Sequence, residues 1–232
     1  MELLGKLHFD MNIFESKELF IQAAGSRMVD VISTAVNEFQ HAYVLLSGGS
    51  TPGPIYRYVA EHFTQLDSVK IGLVDERFVP LSNPHSNEAL IRKCFDDGND
   101  RSPDIIGMVY NISDAEQNLE SLKTAYAPFR DRMDLLVLGM GLDGHFASIF
   151  PGDPSSDQAL VLEDLFFNTT APSEPKNRIT MSFSFIQKAK SIFLFISGEE
   201  KYAILKDRSL NLPIHHLLSA RPDVQIFYTK ES

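Results

Sequence analysis

Residues 42–63 read AYVLLSGGSTPGPIYRYVAEHF, and the order of their parts decides the class of fold. AYVLL is a short apolar run containing valine and tyrosine, which suits a buried strand. Gly48 and Gly49 end the run. Thr51 and Pro52 then predict a helix start, with Thr51 as N-cap and Pro52 in the first helical position, and the helix continues over 53–63. A strand, a glycine loop and a helix in that order are the first parts of a parallel βαβ crossover.

The same alternation extends in both directions. VKIGLV (69–74), DIIGMV (104–109), MDLLVLG (133–139), SIFLFIS (191–197) and VQIFYT (224–229) are further apolar runs bounded by turn signals. Apolar residues at helical spacing predict helices over 16–39, 87–95, 114–129 and 198–208. The pattern is that of an α/β fold, a mostly parallel sheet with helices on both faces. The segment 153–177 is the least regular and predicts an antiparallel excursion or a lid. With no internal repeat, low-complexity tract or long linker, residues 1–232 are expected to form a single domain.

Composition excludes several classes of function. The formal net charge is −10, and the Lys and Arg residues are scattered singly, which argues against a nucleic-acid surface. The N-terminal sequence lacks the basic region and apolar run of a signal peptide, and no apolar stretch approaches the roughly 20 residues needed to span a bilayer. The expected location is the cytoplasm, and nothing suggests an obligate interface, so a monomer is expected. The lone cysteine, Cys94, lies in the helical pattern SNEALIRKCF and is expected in the core. His215-His216 resembles a metal pair only superficially, because adjacent residues do not share a helical face. No cysteine, histidine or carboxylate cluster has ligand spacing, so neither a metal nor another cofactor is expected.

In an open α/β sheet, ligands bind beyond the carboxyl ends of the strands. The least ordinary local sequences, SGGSTPG, DERFVP, GMGLDGH and SGEEK, each follow a proposed strand and should gather along one edge. Gly48, Gly49, Ser50 and Thr51 allow an anion to approach a helix N-terminus closely, although the loop lacks the G-x-x-x-x-G-K-[ST] pattern of a nucleotide phosphate loop. In VDERFVPLSNPHSN, Arg77 offers a fork of donors to a phosphate, a carboxylate or an oxyanion and Asp75 is a candidate to face a substrate, while Asp75, Glu76 and Arg77 together also suit a solvated cluster or a local ion pair. Asn83, Pro84, Ser86 and Asn87 read as turn and cap residues, and Asn87 can also face the site. Arg178 and Lys201 are isolated cations beside a predicted strand end and a predicted helix start.

The segment GMGLDGH, with Gly139 and Gly141, formally contains G-x-G-x-x-G, but Pro151-Gly152 leaves no room for the helix that a dinucleotide site requires. Its informative part is Asp143-Gly144-His145. This turn carries an imidazole able to accept a proton near neutral pH beside a carboxylate able to orient it.

Together SGGSTP, DERFVP with its downstream Ser-Asn, LLVLGMGLDGHFASIFPG, RIT, SGEEK and a late Leu-Pro resemble the 6-phosphogluconolactonase family from about residue 15 onward. The resemblance implies a Rossmann-like three-layer sandwich of the type shared with glucosamine-6-phosphate deaminases and ribose-5-phosphate isomerases. It also implies hydrolysis of a phosphorylated sugar lactone in the oxidative pentose phosphate pathway. By the same resemblance His145 is the general base and Asp143 its partner or a substrate-positioning group. Arg77 and the glycine-loop N–H groups are then candidates for the oxyanion, and Arg178, Lys201 and the Gly48–Thr51 loop for phosphate, with Arg77 and Arg178 open to exchange. Two rivals share the fold. A glucosamine-6-phosphate deaminase resembles DGHIAFNEPG at the histidine turn, where this chain has DGHFASIFPG and places Phe150, which cannot carry a proton, at the glutamate position. A non-catalytic sugar-phosphate regulator would have no need of the Asp143-Gly144-His145 group.

Overall fold

The structure is a computed structural model that describes residues 11–96 and 101–231. Its strands are β1 (Met11–Phe14), β2 (Ala42–Leu46), β3 (Val69–Leu73), β4 (Asp75–Arg77), β5 (Asp104–Ile106), β6 (Leu135–Gly139), β7 (Phe166–Thr170), β8 (Asn177–Met181), β9 (Ser191–Ser197) and β10 (Gln225–Thr229). The helices are α1 (Lys17–Phe39), α2 (Gly53–His62), α3 (Asn87–Phe95), α4 (Ala115–Ala125), α5 (Pro128–Asp131), α6 (Pro154–Val161), α7 (Phe183–Ile186), α8 (Glu199–Lys206) and α9 (Pro213–Ala220).

Seven strands form a parallel sheet in the order β1-β10-β9-β6-β2-β3-β5. Every residue of β6 from Leu135 to Leu138 is inaccessible, as a strand covered on both faces requires. Right-handed crossovers then assign the layers. The chain moves one way across the sheet through β1, β2, β3 and β5, which puts α1, α2 and α3 on one face, where α1 packs on α2 and α2 on α3. It returns through β6, β9 and β10, which puts the intervening elements on the other face. β2 and β6 are neighbours at the reversal, so their following loops diverge to opposite faces and open a crevice between them.

A second sheet, β4-β8-β7, is small and antiparallel. The irregular segment 153–177 supplies α6 and the β7 half of its hairpin, so the antiparallel excursion expected there is present. Short strands β1 and β4 were not expected from sequence, and the predicted strand 104–109 ends at Ile106. The helix predicted over 114–129 divides into α4 and α5 at Pro128, which has no N–H to continue the hydrogen-bond ladder. Helix α9 was also unexpected.

Helix α2 corrects the cap assigned to Thr51. The helix begins at Gly53, Pro52 precedes it, and no side chain caps it. A cap side chain bonds the N–H of the second or third helical residue, and Pro54 removes one of those donors. Thr51 instead places its hydroxyl 3.1 Å from that of Ser197. Cys94 is buried in α3, as expected. Among the described residues, no helix is long and apolar enough to cross a membrane.

Candidate active site

The loops after β2, β6 and β9 border a cleft of about 490 Å³, and β4 and β8 supply another wall. All the residues selected from the sequence line it: Gly48, Gly49, Ser50, Thr51, Asp75, Arg77, Asn87, Gly139, Gly141, Asp143, His145, Arg178 and Lys201. Their common location follows from strand order, because the loops after β2 and β6 flank the crevice opened at the reversal described above.

The histidine turn is built around a close approach. Gly141 N–H donates to His145 O at 3.0 Å, which folds the turn back on itself. A Cβ on Gly141 would lie 2.2 Å from the His145 ring, so only glycine lets the imidazole lie against this backbone. His145 Nδ1 is 2.5 Å from Asp143 Oδ1. Two acceptors would repel at that distance, so Nδ1 carries the proton and donates it to the carboxylate. Burial acts to raise the Asp143 carboxyl, but the hydrogen bond and charge of His145 outweigh it and hold the group below its ordinary 3.8. In the neutral tautomer that this contact selects, Nε2 is the nitrogen left with a lone pair. The ring also lies 4.6 Å from that of Phe150, centre to centre.

The opposite wall is electropositive. Arg77 of β4 and Arg178 of β8 are directly opposed in the antiparallel register, so both side chains leave the same face. Arg178 donates from Nε to Pro175 O at 2.7 Å, and Arg77 donates from Nη1 to His85 O at 2.6 Å. Burial, and then the charge of Arg77, depress the Arg178 pKa. Lys201, in α8, is also depressed by burial. Arg178 is the second residue of β8, beside the end of the strand as expected from sequence. Like charges opposed on neighbouring strands are unfavourable by themselves, and an anion between them removes the conflict.

Asp75 is held by the Ser148 hydroxyl, 2.6 Å from Oδ2, which ties β4 to the histidine turn. Asn87 donates from Nδ2 to Asp75 O at 2.9 Å, and its Oδ1 lies 1.9 Å from where a Cβ on Gly48 would be. Gly48 is thus required by the side chain lying over it. Of the turn and cap residues read from the sequence, Ser86 caps α3, and Asn87 is the first residue of the helix.

Sequence reasoning missed several lining or supporting residues. Ser47 has a buried hydroxyl without a partner among the described residues, and its position directly after AYVLL was an available signal. Ala171, Pro172 and Ser173, at the tip of the β7–β8 hairpin, border the cleft, and no local pattern announces them. His215 spends both ring nitrogens inside the fold: Nδ1 accepts from Leu212 N–H and Nε2 donates to Ile204 O, each at 3.0 Å. Among the described residues, no group of three or more His, Cys, Asp or Glu is arranged to hold a metal ion.

The family model described as glucosamine-6-phosphate isomerases/6-phosphogluconolactonase matches residues 15–221. The chain belongs to this family. A 6-phosphogluconolactonase from Caulobacter vibrioides is 31% identical, over 95% of this chain and 97% of its own. The structure of a 6-phosphogluconolactonase from Shewanella baltica superposes with a TM-score of 0.88 at 28% identity, covering 96% of this chain and 98% of that one. A monomeric glucosamine-6-phosphate deaminase shares the fold, with a TM-score of 0.78 at 20% identity over 96% and 98% of the two chains. Within the glucosamine-6-phosphate isomerase/6-phosphogluconolactonase family, the α/β architecture expected from sequence is thus the shared one.

Proposed function

We propose that this chain hydrolyses 6-phospho-D-glucono-1,5-lactone to 6-phospho-D-gluconate in the oxidative pentose phosphate pathway. The observation that carries the mechanism is the 2.5 Å contact between His145 Nδ1 and Asp143 at the edge of the cleft, which assigns the role of proton acceptor to Nε2. Nε2 takes a proton from water as the water oxygen bonds to the lactone carbonyl carbon. Asp143 stabilises the imidazolium so formed. When the tetrahedral adduct collapses, the bond from that carbon to the ring oxygen breaks, and the proton passes from Nε2 to that oxygen, which leaves as a hydroxyl. Water is the only co-substrate in this balance.

The phosphate is assigned to Arg77 and Arg178, directly opposed across β4 and β8, with Lys201 and the Gly48–Thr51 loop completing the anion's surroundings. Phe150 separates this pair from the base, since its ring also lies 5.9 Å from the Arg178 guanidinium carbon. The reacting carbonyl and the phosphate then occupy opposite ends of one small substrate. Backbone N–H groups of the glycine loops are assigned to the oxyanion. Phe150 beside His145 also counts against deamination, which needs further acid/base groups at that position.

The deciding experiment is lactone hydrolysis, corrected for the spontaneous reaction, by the wild type and by His145→Ala with its fold checked by circular dichroism. Catalysis by the wild type and a fall of roughly 10²–10⁴ in the folded variant are expected, the usual contribution of a positioned acid/base. A fully active variant would sink the mechanism, and an inactive wild type would sink the substrate assignment.

A further inference from the structure

Glu76, the middle residue of β4, lies behind the site. Side chains alternate along a strand, so with Asp75 and Arg77 directed to the cleft Glu76 points away from it. It is 1% exposed. Oε1 accepts from the backbone N–H of Arg77 and of Asn87, both at 2.7 Å. Oε2 accepts from Glu88 N–H at 2.8 Å and from the Ser86 hydroxyl at 3.0 Å. Three of these four donors belong to the start of α3, where N–H groups have no partner within the helix. The carboxylate therefore joins the helix to the strand from behind, while Asn87 joins them from the front and lies over Gly48.

No cation forms an ion pair with Glu76 among the described residues. The charged and titratable groups around it are Asp75 and Arg77 on its own strand, Arg178 on β8, Glu88 on α3, and Tyr126 following α4. Burial, opposed by the four hydrogen bonds, moves its pKa up to about 6. All its close partners are N–H or O–H groups already donating to it, so a proton on the carboxyl would displace at least one of them.

We infer that Glu76 is a positioning residue: by fastening the start of α3 to β4 it holds Asn87 and Arg77 in the arrangement that takes the substrate's anionic group. The inference deepens the proposed function and rests on its assignment of Arg77 to an anion. Simple electrostatics gives the opposite sign. Removing a negative charge beside an anion site would tighten binding, whereas losing a positioning group would loosen it.

The test compares the wild type with Glu76→Gln, using inorganic phosphate as the probe and NMR titration as the readout at about pH 7.5. In the variant a side-chain NH₂ faces donors on one side of the old carboxylate, and we expect phosphate to bind about tenfold more weakly, as loss of one or two charge-assisted hydrogen bonds implies. In lactone hydrolysis KM should rise by about the same factor while kcat stays within about threefold. A merely structural role would lower the folded fraction and kcat and leave KM alone. Equal or tighter phosphate binding by Glu76→Gln, or a wild type that binds no phosphate, overturns the inference. Lactonase activity of the wild type is scored separately, so failure of the substrate assignment is distinguishable.

Should Glu76→Gln not fold, the His145→Ala chain decides with sulfate, which remains a dianion over the range used. Neutralising Glu76 by acidification from about pH 7.5 to 5 should weaken sulfate binding about threefold. Equal or tighter binding at the lower pH overturns the inference, and tighter is what the protonation of every other nearby group would produce.

Discussion

The two sheets of this molecule do different work with different residues. The parallel sheet is built of side chains such as Leu45, Val137, Phe193 and Phe195, all essentially inaccessible, and apart from Gly139 and Phe195 it reaches the cleft through the loops at its strand ends. The small antiparallel sheet carries Asp75, Glu76, Arg77 and Arg178 within its strands, with two arginines opposed and a buried carboxylate that forms no ion pair among the described residues. One sheet gains stability from apolar burial; the other accepts electrostatic conflict where an anion can relieve it. Stability and ligand capture are therefore separable by mutation.

The largest expected effect belongs to a loop of the parallel sheet. Asp143→Asn leaves His145 without its anionic partner and should lower kcat about 10²–10³-fold with little change in KM, measured by steady-state hydrolysis. Retained kcat would mean that Asp143 only positions substrate. Next is Phe193→Ala in β9, which should cost about 3–5 kcal/mol in denaturant unfolding while the remaining folded enzyme keeps its KM. A change in KM there would break the separation of roles.

Changes in the small sheet should behave in the opposite way. Arg178→Met removes a buried cation opposed to Arg77, and KM should rise about 10–100-fold, the range for a charge-assisted contact, with modest change in kcat. Its melting temperature in the absence of ligand should stay level or rise. Arg77→Met tests the division between phosphate and oxyanion: a raised KM places it on phosphate, and a large loss of kcat at unchanged KM would move it to the oxyanion.

The smallest effect expected is a linkage of stability to pH. The folded pKa of Glu76, about 6, lies above its ordinary value of 4.5, so the folded state holds the proton more tightly. Its contribution to stability is fully present below 4.5 and is lost as pH rises through 6, about 2 kcal/mol in all. Denaturant unfolding at a series of pH values should show this slope weaken or vanish in Glu76→Gln. An unchanged slope would assign it to other groups.

The same contrast explains what could be read in advance. Strands covered on both faces are near-continuous apolar runs, so AYVLL, LLVLG and SIFLFIS identify themselves, and parallel order then places the following loops together. DER does not look like a strand, because its three charged side chains serve the cleft and the start of α3, not a core. FFNTT and NRITM mix apolar and polar residues for the same reason, and MNIF is too short to stand out. Asp143-Gly144-His145 was legible because its partners are local. Glu76 was not, because its hydrogen-bonding partners in α3 lie some ten residues further along the chain and only the tertiary fold reveals their directions. The hairpin tip Ala171–Ser173 reaches the cleft through packing that no short window encodes.

The strand order also bears on how the molecule is made. Among the described residues β1 pairs only with β10, joining Met11–Phe14 to Ile226–Thr229. During synthesis at roughly 5–20 residues per second, the first strand waits on the order of 10–40 s for a partner, while β2 and β3 can pair almost as soon as they emerge. The edge formed by β1 is thus the last part of the sheet to close, and a chain stalled before β10 would present an unpaired β9 edge to its neighbours, the form of the protein most exposed to misassembly in the cell.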